Sequence, residues 1–367
     1  MIRLGILGGG QLGRMLALAA HPLGITCTVL DPSAEPCAAA VAGHVRGEFD
    51  DLQALYELVK RSDLITYEFE NVPVESARWI AERIPVFPLP KALEVSQDRL
   101  AEKSFFRNLG IPTPPFAAID TREQFDTALR DIGLPAVLKT RRFGYDGKGQ
   151  CVIRTPANAE AAWTLLGGRP LLLEGFIPFD REVSILAMRG RDGTAGFYPL
   201  VENEHREGML YRSFAPASGT GEELTERAGE FALRVMTELE YVGVLAMEWF
   251  QDGPRLLANE MAPRVHNSGH WTIEGAVTSQ FENHVRAVCG LPLGSAVAVG
   301  HSAMFNLIGF RPEFDEVLKV PNTHLHWYGK EPKPRRKVGH VTLTASDADE
   351  RDRLATEFVA RIDPRIV

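Results

Sequence analysis

Along the N-terminal part of the chain, short apolar runs alternate with longer stretches in which apolar positions recur every three or four residues. That is the pattern of strands alternating with helices. IRLGIL (residues 2–7) leads into Gly8-Gly9-Gly10-Gln11-Leu12-Gly13, RMLALAAHPLGI continues as a helix, and TCTVLD is a second strand ending at Asp31. VRGEFDDLQALYELVKRS (45–62) reads as helical, DLITYEF as a strand ending at Glu68 and Glu70, VESARWIAERI as a helix and VFP as a short strand. Residues 1–96 therefore predict a doubly wound, Rossmann-like α/β domain.

From Gln97 the pattern turns helical in DRLAEKSFFRNLGI, and Pro112-Thr113-Pro114-Pro115 follows as a connector. The helix REQFDTALRDI and the strand PAVLKT come next, with Lys139 closing the strand. RPLLLEGFIPF, REVSILAMRG and FYPLVENEHREGML read as further strands, and EELTERAGEFALRVMTELEY as an amphipathic core helix. VGVLAMEWF and RLLANEMA flank Gln251-Asp252-Gly253-Pro254, and Asp-Gly between apolar runs signals a hairpin. TIEGAVTSQFENHVRAVCGL predicts one more helix, residues 296–344 turn to strands, and a final helix spans Asp347 to Arg361. The fold class is α/β with α+β. A central domain is expected over 97–290, with a small lid over about 117–178, and a small β-rich domain over 291–367.

The hairpin carries the most chemistry. Each strand holds a glutamate inside its apolar run, Glu248 and Glu260. A buried carboxylate is costly unless paired, and two facing ones repel, so a cation between them is the natural resolution. Asn259 adds a neutral oxygen ligand, a set that suits Mg²⁺ held with nucleotide phosphates. The alternative is that one or both glutamates lie on the solvent face of an amphipathic hairpin. Strict alternation fits this poorly, because Met247 and Trp249 flank Glu248. After Pro263, the crowding of Arg264, His266, Asn267, Ser268 and His270 reads as a loop built to hold an anion.

Two glycine-rich stretches stand out. Gly8 to Gly13 matches G-x-G-x-x-G with an acid, Asp31, near the expected spacing. It reads as a dinucleotide site, as a turn that lets the helix pack closely, or as a helix N-terminus for some other phosphate. Glu68 and Glu70 at the next strand end lie where open α/β sheets place ligand contacts, though exposed loop acids are the favoured reading. The run from Arg141 to Gln150, with three glycines, three cations and an acid, reads as a mobile flap whose N–H groups can approach phosphates. It is not a P-loop. Near the C-terminus Lys330, Lys333, Arg335, Arg336 and Lys337 form a basic cluster, either solvated or a phosphate clamp.

A length of 367 residues implies two or three domains, and a net charge of −8 argues against nucleic acid held on a basic face. Four scattered cysteines indicate neither a zinc site nor a disulfide framework. No run reaches the about 18 apolar residues of a membrane span, and no cleavable signal opens the chain. A cytoplasmic enzyme with no membrane partner is expected.

GGGQLGRM, DRLAEK, YDGKGQ, APRVHNSGHW and KVGH, in that order over nearly the whole chain, resemble the ATP-grasp carboxylate–amine ligases. The HNSGHW form resembles the branch that makes N5-carboxyaminoimidazole ribonucleotide in purine biosynthesis. The resemblance implies ATP, Mg²⁺, bicarbonate and 5-aminoimidazole ribonucleotide as ligands, carboxyphosphate as intermediate, and a homodimer. It places Glu248 and Glu260 on the metal. Arg99, Lys139, Glu174, Phe176, Ile177, Glu182, His205 and Asn259 would contact ATP. Gly10, Gln11, Leu12, Tyr145, Asp146, Lys148, Arg264, His266, Asn267, Lys330, Arg336 and Lys337 would serve substrate binding or catalysis. Phe143 stands where the family often has a second glycine. Another ATP-grasp ligase, such as formate-dependent glycinamide ribonucleotide transformylase, and an NAD(P)-dependent oxidoreductase are the rival readings.

Overall fold

The computed structural model describes residues 2–144 and 147–362. The first body is a parallel sheet of β1 (Arg3–Leu7), β2 (Thr26–Asp31), β3 (Gly43–Arg46) and β4 (Leu64–Tyr67), in the order β3-β2-β1-β4. Helix α1 (Gln11–Ala20) connects β1 to β2, α2 (Leu52–Lys60) connects β3 to β4, and α3 (Val74–Ala81) follows β4. The predicted helix over 45–62 splits. Val45 pairs in parallel with Leu30, and the helix waits for Asp51, whose carboxylate accepts from the N–H groups of Gln53 and Ala54. An N-cap of this kind fixes where a helix begins. Two short helices, α4 (Pro90–Ser96) and α5 (Arg99–Asn108), lead out of this body, and Asp98 caps the second.

The second body is an antiparallel sheet of β5 (Phe116–Ile119), β6 (Ala136–Thr140), β7 (Gln150–Ile153) and β8 (Leu171–Gly175), in the order β5-β8-β6-β7. Helices α6 (Arg122–Ile132) and α7 (Pro156–Leu166) cover one face, with Phe125 stacked on Trp163 at 5.2 Å between centroids. Thr121 and Gln124 form a capping box at the start of α6. The sequence pattern marks no element over α7.

The third body is a large antiparallel sheet. It contains β9 (Arg181–Arg189), β10 (Ala195–Phe197), β11 (Val201–Arg206), β12 (Met209–Ala215), β13 (Gly243–Asp252), β14 (Arg255–Ala262), β15 (His301–Ile308), β16 (Thr323–Trp327) and β17 (Lys337–Ala345). The order is β14-β13-β9-β11-β12-β15-β17-β16, with β10 on the far part of β9. The C-terminal strands thus extend the central sheet and bring the basic cluster to its rim. Helix α8 (Glu222–Glu238) packs its Phe231 against Trp249 of β13.

The predicted helix from Thr272 breaks into α9 (Thr272–Gly275) and α10 (Gln280–Cys289). Ala276 leaves the helix to bridge Ala298, and Ser279 recaps the chain by accepting from the Glu282 N–H. Helices α11 (Phe314–Leu318) and α12 (Ala348–Ile362) close the C-terminal face.

Buried His284 on α10 ties the first body to the hairpin. Its Nδ1 accepts from the Val244 N–H at 3.1 Å, so its Nε2–H donates to Thr66 Oγ1 at 2.8 Å. Burial holds this imidazole down at about 3, and burial likewise holds His270 and His340 well below the ordinary value. These three stay neutral in the fold and charge in the unfolded chain. Their contribution is complete above about pH 6.5 and is lost as pH falls, at up to about 1.4 kcal/mol per pH unit each. We expect the ring resonances of these three histidines in the folded protein to stay at their neutral positions between about pH 7.5 and 5.5. A ring that titrates over that range would contradict the neutral assignment.

Candidate functional site

In the hairpin Glu248 and Glu260 are direct Cα partners across β13 and β14. Met247 and Trp249 point the other way, fully buried under α8. The apolar flanks therefore do not argue against alternation, contrary to the expectation from sequence; they are the other face of a period-two strand. The glutamate face does not lie on the open surface, because the second body lies over it: the Glu248 side chain is only 14% exposed, and Glu260, 41% exposed, opens onto the cavities described below. Burial and then Glu260 push the Glu248 carboxyl up to about 7. The Asn259 side-chain oxygen beside them is buried and has no hydrogen-bond partner. Two facing carboxylates and an orphaned amide oxygen fit a hard cation. Among the described residues no group of three His, Cys, Asp or Glu is placed to hold a metal. An ion here would need further oxygens, as nucleotide phosphates supply.

β14 is the edge of its sheet, and α5 covers it with side chains at i, i+3 and i+4. Arg99 Nη1 donates to Glu260 Oε2 at 3.1 Å, Glu102 Oε1 accepts from the Met261 N–H at 2.8 Å, and Lys103 Nζ donates to the Ala258 carbonyl at 2.9 Å. Burial, then Glu260, raise the Glu102 carboxyl to about 8. The DRLAEK motif thus acts as a substitute neighbour for the strand that carries Glu260.

Two cavities meet at this hairpin and share Arg99, His205, Gly208, Glu248 and Glu260 as their common wall. The first, about 250 Å³, lies between the second body and the large sheet. All eight residues expected to contact ATP line it: Arg99, Lys139, Glu174, Phe176, Ile177, Glu182, His205 and Asn259. Lys139 Nζ lies 2.5 Å from Glu174 Oε2. Burial pushes the Glu174 carboxyl up, but Lys103 and Lys139 outweigh it and hold the group at about 2. His205 Nδ1 contacts Glu182 Oε2. Burial lowers this imidazole, yet Glu182 and the hairpin glutamates more than reverse that and raise it to about 9.

The second cavity, about 220 Å³, reaches from the same wall toward α1 and the C-terminal strands. Gln11, Leu12, Arg264, His266, Asn267 and Lys337 line it, together with Glu70. Arg264 Nε donates to Glu70 Oε2 at 2.5 Å. Burial opposes the charge on Glu70, but Arg264 outweighs it and holds the carboxyl at about 2. His266 Nε2 lies 3.3 Å from Glu248 Oε1, while burial, Arg264 and Lys337 hold its ring neutral at about 3. Both side-chain polar atoms of Asn267 are buried without partners. A cation, a neutral imidazole and an unsatisfied amide in one wall suit a small oxyanion.

The remaining expectations fall outside these walls. Lys330 Nζ contacts Gln11 Oε1, which does line the second cavity. Arg336 is exposed, with Nη1 on the Glu331 carbonyl at 3.3 Å, and Lys148 is exposed on the flap. Tyr145 and Asp146 lie outside the described residues. The flap root is seated, since a Cβ on Gly147 (φ +75°) would meet the Glu207 carbonyl at 3.0 Å. Phe143 adopts φ 61°, a region that favours glycine.

Glu68 is not an exposed acid. It is buried and accepts from the N–H groups of Gly10 and Gly13 at the start of α1. A Cβ on Gly10 would lie 2.4 Å from Glu68 Oε1, so the glycines make room for a protein carboxylate. Asp31 Oδ2 accepts from the Gly9 N–H at 2.9 Å. Of the donors that a dinucleotide pyrophosphate or another phosphate would use, the N–H groups of Gly9, Gly10 and Gly13 are therefore already engaged. Gly10 binds Glu68, and it is Gln11 and Leu12 that line the second cavity. Glu70 is likewise not the exposed acid expected from sequence, and Glu102 and Lys103 carry roles that sequence reasoning missed. The i, i+3, i+4 spacing from Arg99 is the available signal for the last two. Glu68→Ala should cost about 1–3 kcal/mol per stranded N–H in urea unfolding, whereas an exposed acid would change stability by under about 0.5 kcal/mol.

Comparison with known proteins gives three family matches in order: "Ribonucleotide synthetase preATP-grasp domain" over residues 1–97, "ATP-grasp domain" over 104–281, and "Phosphoribosylaminoimidazole carboxylase C-terminal domain" over 302–353. The chain is 52% identical over 346 residues to the N5-carboxyaminoimidazole ribonucleotide synthase of Pseudomonas aeruginosa, covering 94% of this chain and 95% of that one. It is 47% identical over 351 residues to the protein of that name from Brucella melitensis, covering 92% and 95%. The crystal structure of the Thermus thermophilus synthetase is similar with a TM-score of 0.95 and 58% identity, covering 98% of each chain. That of the Aspergillus clavatus synthase in complex with ADP and 5-aminoimidazole ribonucleotide is similar with a TM-score of 0.92 and 30% identity, again covering 98% of each.

Proposed function

The chain belongs to the N5-carboxyaminoimidazole ribonucleotide synthase family of ATP-grasp ligases, and from that premise we propose how its two cavities divide the work. The reaction is the ATP-dependent carboxylation of 5-aminoimidazole ribonucleotide in purine biosynthesis. The observation that carries the assignment of roles is the shared wall. A nucleotide in the first cavity and a small anion in the second would meet across Glu248 and Glu260.

In this reading the adenine sits against Phe176 and Ile177, and Glu182 faces the ribose. Lys139 and Arg99 contact the phosphates. Glu248 and Glu260, with Asn259, would hold Mg²⁺, whose charge would offset that of the ATP phosphates. Arg264, His266 and Asn267 bind bicarbonate at the far side of the wall. Neutral His266 offers a hydrogen bond without adding charge, while Arg264, buried against Glu70, is fixed in direction. The γ-phosphoryl group passes to a bicarbonate oxygen, giving ADP and carboxyphosphate. The exocyclic amine of the ribonucleotide then attacks the carboxyl carbon, or CO₂ released from it, and phosphate and a proton leave. Transfer of this kind depends on positioning and charge neutralisation more than on a covalent nucleophile.

The ribonucleotide lies along Gln11 and Leu12, its phosphate toward Lys330 and Lys337, with Arg336 able to close from the rim. The glycine-rich flap covers the reacting groups and keeps water from carboxyphosphate. The enzyme is proposed to work as a homodimer in the cytoplasm, on the strength of the family resemblance. No helix among the described residues is long and apolar enough to cross a membrane.

Phosphate release from Mg-ATP should require both bicarbonate and 5-aminoimidazole ribonucleotide. Release with a different amine or acid would retain the ligase class and overturn the substrate. Glu260→Ala should lower turnover by at least about 10²-fold with an unchanged unfolding midpoint. Near-normal turnover in that variant would sink the metal assignment.

A further inference from the structure

Lys103 is fully buried on α5 and lines neither cavity. A lysine with no access to water needs a specific reason to be there. Its Nζ lies 3.0 Å from Glu174 Oε1, off the line of a hydrogen bond, and donates to the Ala258 carbonyl at 2.9 Å. Glu174 belongs to the second body, on β8, and Ala258 to the hairpin, one residue before Asn259. The other oxygen of Glu174 is held by Lys139, 2.5 Å away, which does line the nucleotide cavity. One buried carboxylate is therefore shared by two lysines, of which only one can reach a ligand.

We propose that Lys103 is a positioning residue for the nucleotide, acting as the standing counter-ion of Glu174 so that Lys139 can turn to the phosphates of ATP. This rests on the nucleotide reading of the first cavity. With Lys139 in place Glu174 is 2% exposed, and when Lys139 leaves Lys103 remains as its countercharge. Without Lys103, the same movement would strand an unpaired carboxylate in the interior, which is strongly unfavourable. Lys139 would then remain on Glu174, and ATP would bind without it. The sharing also explains why Glu174, rather than a neutral amide, is tolerated there: with two lysines close by, a single negative charge lowers their mutual repulsion.

The test is Mg-ATP and ADP binding by calorimetry, together with KM values for all three substrates. Lys103→Met should weaken ATP binding at least tenfold and leave the KM for 5-aminoimidazole ribonucleotide within about threefold. Adding Glu174→Gln should restore ATP affinity to the level of Glu174→Gln alone, because a neutral amide needs no counter-ion. A lysine that merely pinned the fold would not show that rescue. Wild-type-like ATP affinity in Lys103→Met would overturn the proposal, as would equal losses for ATP and ribonucleotide without rescue. Should Lys103→Met fail to fold, Glu174→Gln and Lys103→Met/Glu174→Gln are compared directly. Equal ATP affinities support the proposal, and a tenfold weaker double variant overturns it. Failure of the wild-type protein to bind Mg-ATP would instead overturn the nucleotide reading.

Discussion

Two carboxylates face each other across one hairpin, and their repulsion organises what surrounds them. Glu248 and Glu260 face each other because a β-bulge between Glu248 and Trp249 shifts the pairing set by the Asp252-Gly253 turn, so that Glu260 rather than Asn259 stands opposite Glu248. Burial and mutual repulsion raise Glu248 so far that the pair is poised to gain from any cation placed between them. His205, raised by the surrounding carboxylates, and Arg99, bonded to Glu260, already offset part of that charge. The unpartnered oxygen of Asn259 points to what would offset the rest. The wall between the two cavities is thus an electrostatic device first and a partition second.

Around it, each positioning element satisfies a constraint of its own. Helix α5 supplies the edge strand β14 with the partners that a neighbouring strand would have given. The first body has its helix terminus filled by Glu68, so it presents the side of α1, with Gln11 and Leu12, rather than a phosphate-binding loop. The same sequence motif that elsewhere binds a pyrophosphate here seats a protein side chain. His284 then holds that body against β13 through a neutral imidazole. Buried polar groups such as Glu68 and His284, paired across the parts, set their relative positions.

The hairpin, the anion loop and most strands and helices were legible because local pattern decides them. The Asp-Gly turn, period-two runs and helical periodicity are short-range signals, and the structure has all three. Glu68 and Glu70 were not legible, since their burial depends on α1 and on Arg264, both distant in sequence. The break between α9 and α10 follows from Ala276 pairing with Ala298, again a tertiary contact. Lys103 looked like an ordinary helix lysine; only the fold brings Glu174 to it. Local residues name the chemistry, and distant contacts decide which copy of a residue type performs it.

The central claim is that a phosphoryl group crosses the shared wall from nucleotide to bicarbonate. Turnover with freshly dissolved oxygen-18 bicarbonate, followed by mass analysis of the phosphate formed, tests it most directly. Transfer through carboxyphosphate leaves one labelled oxygen in each phosphate released. Phosphate carrying no label would mean that ATP is cleaved without bicarbonate as acceptor, and would contradict the claim.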